Sequence, residues 1–160
     1  MKSLDPLLPA EITIKLLVDT DNFDRHQLSK CCRLEASWSN KSDVQTSEGN
    51  KLEDFQIQGF LGDTIKWEAE SSSSNTEVNI RDIIYHNGGQ IFDKEKLGRK
   101  DRNGGGTFAE GKVKIDNKFG ELYKYNIHFN FVKKSGGRQN SIIDPKIRIL
   151  PKGESLIEKG

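Results

Sequence analysis

The residues best equipped for chemistry sit early in the chain, in Val18-Asp19-Thr20-Asp21-Asn22-Phe23-Asp24. Hard cations such as calcium take several oxygen ligands from one tight loop, and the carboxylates of Asp19, Asp21 and Asp24 offer such a set. The segment departs from an EF-hand loop, because no glycine stands at the turn position and no glutamate closes it. Asp and Asn also accept hydrogen bonds from backbone N–H groups where a strand ends. Turn and cap chemistry is therefore the first reading of these residues, with calcium at Asp19, Asp21 and Asp24 as the alternative.

Other reactive types lack partners at useful spacing. Cys31 and Cys32 are adjacent, and a disulfide ring between neighbours is strained, so both are expected to be reduced thiols. No obvious histidine partner stands beside them and no Gly-x-Ser-x-Gly elbow occurs, so nucleophilic catalysis has no recognisable apparatus. His26, His86 and His128 are far apart, without the short-spaced pairs of a zinc site. Gly62-Asp63-Thr64-Ile65-Lys66-Trp67 is similar to the start of a strand in cupredoxins. A blue-copper centre is nonetheless excluded, because no cysteine follows Cys32 and the one methionine is Met1. Gly104-Gly105-Gly106 ends a charged stretch over 94–106 that reads as a loop. No Gly-Lys-Ser/Thr follows it, so the phosphate-loop reading is disfavoured. With 24 acidic residues in the chain, chance carboxylate pairs are uninformative.

The elements that must position these residues read as strands. Ile12, Ile14, Leu16 and Val18 fall on one face, with Thr13 and Lys15 among the residues opposite, and Leu34, Ala36 and Trp38 repeat the pattern, as do Ile65, Trp67 and Ala69. Tyr123, Tyr125, Ile127, Phe129 and Phe131 alternate with Lys124, Asn126, His128 and Asn130, the pattern of a strand with one dry and one wet face. Further strands are predicted at 55–60, 78–85 and 107–115. Another covers 141–150, in phase around Pro145, after a glycine-bearing hairpin connection at 133–140. Ser71-Ser72-Ser73-Ser74-Asn75 reads as a flexible connection. The one helical candidate, 23–32, is short and polar. Seven to eight short strands predict an all-β, antiparallel β-sandwich: one domain over 1–160, with its core over about 11–150 and flexible termini. Trp38, Trp67 and the aromatic stripe belong to that core. The places of Phe92 and Phe108, flanking the charged loop, are open.

Hydrophobic residues make up 33% of the chain and charged residues 31%, which favours solvated loops over a large interior. A net charge of +1 gives no reason to expect nucleic acid or an anionic membrane as partner, and it leaves copies free to approach one another. No apolar run nears the roughly 20 residues that span a bilayer. The first residues lack the pattern of a signal peptide, so the cytoplasm is expected.

Several signatures occur in a telling order. Val18-Asp19-Thr20-Asp21 closes the first strand, Gly62-Asp63-Thr64-Ile65-Lys66-Trp67 opens another, and Ile83-Ile84-Tyr85 ends a third. Tyr123-Lys124-Tyr125-Asn126-Ile127-His128-Phe129 then precedes Ile143-Asp144-Pro145-Lys146-Ile147. This succession, over roughly residues 11–150, resembles the bacterial inclusion body protein family that includes PixA and AidA. The closing motif of that family puts an aromatic beside Asp-Pro, where this chain has Ile143, and the late hairpin here is more basic. The resemblance implies a cytoplasmic β-sandwich without catalytic activity, in a family that includes a component of crystalline inclusions. It matches Asp19, Thr20, Asp63, Trp67, Asp144 and Pro145, most of which read as structural.

The leading expectation is a non-enzymatic, cofactor-free protein that associates with itself, as a homodimer or a higher assembly. The alternative is a lectin-like carbohydrate-binding module, assisted by calcium at the acidic turn. An enzyme with an unrecognised site is a weaker third.

Overall fold

The computed structural model describes residues 9–73, 76–101, 106–115, 121–133 and 135–150. Parts of the expected loops (Ser74, Asn75, residues 102–105 and Lys134) and the chain ends lie outside the described residues. In chain order the elements are β1 (Glu11–Val18), α1 (Leu28–Cys31), β2 (Cys32–Trp38) and β3 (Lys41–Thr46). A 3-10 turn (Leu52–Asp54) follows, then β4 (Gln56–Phe60), β5 (Thr64–Ser71), β6 (Val78–Gly88), β7 (Lys96–Gly98) and β8 (Lys100–Asp101). The last are β9 (Thr107–Lys112), β10 (Leu122–Val132), β11 (Arg138–Ile143) and β12 (Lys146–Leu150).

The strands form two sheets. One runs β3-β2-β1-β5-β9-β8, the other β4-β12-β10-β6-β7, with β11 also paired to β10. Their inner faces share one apolar cluster, fed from both sheets by the alternating residues: Ile12, Ile14, Leu16 and Val18 from β1, and Tyr123 to Phe131 at every second position from β10. Trp67 is fully buried there. Its indole N–H donates to Tyr125 Oη at 3.1 Å, so the one polar group of a large apolar side chain is satisfied inside the core. Phe92, 1% exposed, lies 6.0 Å from Trp67 and 5.3 Å from Tyr123, ring to ring, and closes one end of the core. At the other end Phe23 meets Phe131 edge-on at 5.0 Å.

Four expectations need correction. The sheets are mixed, since β1 pairs parallel with β5 and β4 pairs parallel with β12. Half-buried strands alternate in the same way whichever direction the neighbour runs, so periodicity does not distinguish the two pairings. Twelve strands are present among the described residues, not seven to eight. Polar β3 was invisible to an apolar pattern, β7 and β8 lie inside the expected 94–106 loop, and Asp144-Pro145 splits the 141–150 strand into β11 and β12. The helix expected over 23–32 is the single turn α1, because Asp24 and His26 make a local turn before it. The 133–140 connection is shorter, as β11 starts at Arg138.

β7 and β8 also explain how one side is closed. The chain pairs with β6 in one sheet at Leu97, passes Arg99, and pairs with β9 of the other sheet at Lys100.

Candidate functional site

The acidic turn leaves the end of β1 and is anchored by its own backbone: Asp19 N–H donates to Cys31 O at 2.7 Å. Asp19 Oδ2 accepts from Asn22 Nδ2 at 3.0 Å, and Oδ1 accepts from Asn22 N–H and Ser72 Oγ, both at 3.3 Å. The Asn22 side chain leads in holding this carboxyl below its usual range, with burial opposing it. Asp24 Oδ1 accepts the His26 N–H at 2.9 Å, closing a local turn. Asp21 is exposed and lines a depression of about 290 Å³ with Phe23, Thr76 and Lys133. Asp19 lines a different cleft, so the carboxylates of the turn do not all face one space. Among the described residues no group of three or more His, Cys, Asp or Glu side chains could hold a metal ion.

That cleft, about 520 Å³, lies at the end of the sandwich between the tips of β1 and β5, the α1–β2 junction and the turn after β3. Asp19, Lys30, Arg33, Glu48 and Glu70 bring charges of both signs to it, and Ser71 and Ser72 bring hydroxyls. Ser71 Oγ is already engaged with Thr20 Oγ1 at 2.8 Å and with the Ser73 N–H at 2.9 Å. Cys31 and Cys32 form part of its wall, as free thiols with sulfurs 4.0 Å apart. Burial first, and then the neighbouring Cys31, pushes the Cys32 thiol far up, which keeps it protonated at neutral pH.

The remaining matched residues serve the framework. Asp63 is 2% exposed, and its carboxylate accepts two backbone N–H groups, from Ala10 and Phe60, each at 2.9 Å. Thr20 is buried, and Pro145 O accepts from the Tyr125 N–H at 3.4 Å, tying the β11–β12 corner to β10. Asp144 edges a groove of about 450 Å³ that also includes His26. Of the other histidines, His86 is exposed and His128 half-buried on the outer face of β10.

The sheet edges differ in how they are protected. The carbonyls of β4 at Gln56 and Gln58 accept side chains from the opposite sheet, Gln45 Nε2 at 2.5 Å and Trp38 Nε1 at 3.4 Å. Edge β3 has β2 as its strand neighbour and, among the described residues, no strand on its other side. Its residues are exposed except Gln45, and Val44 is 60% exposed. Sequence reasoning missed this strand because Lys41-Ser42-Asp43-Val44-Gln45-Thr46 carries one strongly apolar residue. The β-branched Val44 and Thr46 were the signal available.

No protein-family profile matches the sequence, and no curated protein matches it. Among solved structures, the inclusion body protein PixA from Burkholderia cenocepacia is similar, with a TM-score of 0.57 at 11% identity over 90% of this chain and 96% of that chain. The bradyzoite-specific antigen BSR4 from Toxoplasma gondii gives a TM-score of 0.31 at 7% identity, over 68% of this chain and 48% of that one. The likeness to the inclusion body protein is one of fold. Among the described residues no helix is long and apolar enough to cross a membrane.

Proposed function

We propose that this protein is a non-catalytic, self-associating protein of the inclusion body type, whose copies join through the exposed edge β3. The observation that carries the reading is that edge: six residues, five of them exposed, with a strand neighbour on one side and, among the described residues, none on the other. Unpaired edge N–H and C=O groups are a template for a neighbour's strand. Two-fold pairing of β3 with β3 joins two six-stranded sheets into one and gives a closed dimer. The net charge of +1 opposes this little, and the fold shared with an inclusion body protein supports it. The reading places the protein in the cytoplasm, where adjacent thiols stay reduced.

Light scattering across a concentration series at moderate salt tests this. The native chain is expected to move from monomer to dimer as it is concentrated, and to larger assemblies beyond that. Val44→Lys, at a position already exposed, is expected to remain monomeric and folded, because an edge lysine blocks strand addition. A native chain that stays monomeric to millimolar concentration overturns the proposal. Carbohydrate recognition, assayed on a glycan array with and without calcium, then becomes the better reading.

A further inference from the structure

We infer that Cys31 and Cys32 form a two-sulfur site for a soft monovalent cation, copper(I), opening on the cleft at the end of the sandwich. In a continuous strand, neighbouring side chains point to opposite faces. Here Cys31 closes the helical turn α1 while Cys32 opens β2 with extended backbone (φ −131°, ψ 148°). The change of conformation between them breaks the alternation. Both residues turn inward, 5% and 6% exposed, with their sulfurs 4.0 Å apart.

That separation suits a shared ion. A metal about 2.3 Å from each thiolate subtends an S–metal–S angle of about 120° when the sulfurs are 4.0 Å apart. Soft thiolates select copper(I) and zinc. Structural zinc takes four ligands, and among the described residues no third His, Cys, Asp or Glu joins the pair. Copper(I) takes as few as two or three donors; at an angle of about 120° the sulfurs fill two places of a three-coordinate site and a small ligand from the cleft fills the third, so the pair suits it better than zinc. This differs from the blue-copper set excluded above, which needs two histidines. Both cysteines line the cleft of about 520 Å³, the route by which an ion would reach them. On binding, two S–H bonds break, two S–Cu bonds form and both protons pass to solvent. Copper remains monovalent and no electron is transferred.

The test is an anaerobic titration of the whole chain with copper(I), delivered as its acetonitrile complex without added thiols. The expected result is one copper per chain, a thiolate-to-copper absorption band in the near ultraviolet, and loss of the band in Cys31→Ser and in Cys32→Ser. A second readout uses the native chain alone. Copper is expected to slow alkylation of Cys31 by iodoacetamide at least tenfold, measured by mass spectrometry, whereas zinc protects it less. Equal alkylation with and without copper, or a band that survives either substitution in a folded variant, overturns the inference.

Discussion

Trp67 stands where the two sheets meet, and two of its contacts set what it contributes. Its ring lies 5.5 Å from Tyr125 and 6.0 Å from Phe92, and its N–H is spent on Tyr125 Oη. Trp67→Ala therefore opens a cavity and leaves a buried hydroxyl without its donor, and is expected to cost about 3–5 kcal/mol in chemical denaturation. Lys124→Ala, on the outer face of the same sheet as Tyr125, is expected to stay within about 0.5 kcal/mol. Equal losses contradict the assignment of faces. His128 on that outer face gives a pH signature. Burial holds its pKa below the ordinary value of 6.5, with Arg81 and Lys96 adding to the effect and Asp82 opposing it. The unfolded chain then takes up this proton at higher pH than the folded one, so the contribution is complete above about pH 6.5 and fades as pH falls through the depressed value. Thermal melts from pH 7.5 downward are expected to fall less steeply for His128→Gln than for the native chain. Identical slopes contradict the assignment. At this scale the sequence was legible wherever a side chain obeyed alternation, as for Trp67, Tyr125, Ile127 and Phe129. The cysteine pair was not, because its geometry depends on a backbone change between two residues that the pattern treats alike.

At the scale of elements, the turn chemistry separates two glycines. Gly49 and Gly88 share φ of +84°, a left-handed backbone that costs a side chain about 1–3 kcal/mol. A Cβ at Gly49 meets nothing within 4 Å, whereas at Gly88 it falls 2.0 Å from Leu122 O, so β10 must shift. Gly88→Ala is expected to be the more destabilising by at least about 1 kcal/mol in urea, and equal effects contradict the packing of the end of β6 against β10. The strands with an apolar stripe were legible in advance; those without one were not. β3 is held by backbone pairing to β2 and by the reach of Gln45 to Gln56, and neither leaves a hydrophobic period. β7 and β8 are short because their task is to carry the chain from one sheet to the other, and Leu97 alone is buried among their residues. At Asp144-Pro145 the apolar phase continues across a break, since Ile143, Ile147 and Ile149 all face the core from two different strands.

For the whole molecule, the two-layered β architecture followed from the alternating faces, which had to be buried against each other. The parallel pairings β1–β5 and β4–β12 did not follow, because they depend on the order in which the chain crosses between sheets. The same topology decides the surface on which self-association rests. One side is closed by β7 and β8, β4 is covered by Trp38 and Gln45, and among the described residues β3 and β11 each have one strand neighbour, β3 being an edge of its six-stranded sheet. Val132 and Ile142 are also exposed, at 49% and 48%, but they lie on the outer face around β10 and β11, away from β3. Association through β3 therefore has a local signature. Amide hydrogen exchange, compared between dilute and concentrated protein, tests it most directly. Amides over 41–46 are expected to gain protection on concentration while those of β7 and β11 do not change. Unchanged exchange over 41–46 in a sample that light scattering shows to be dimeric would contradict it.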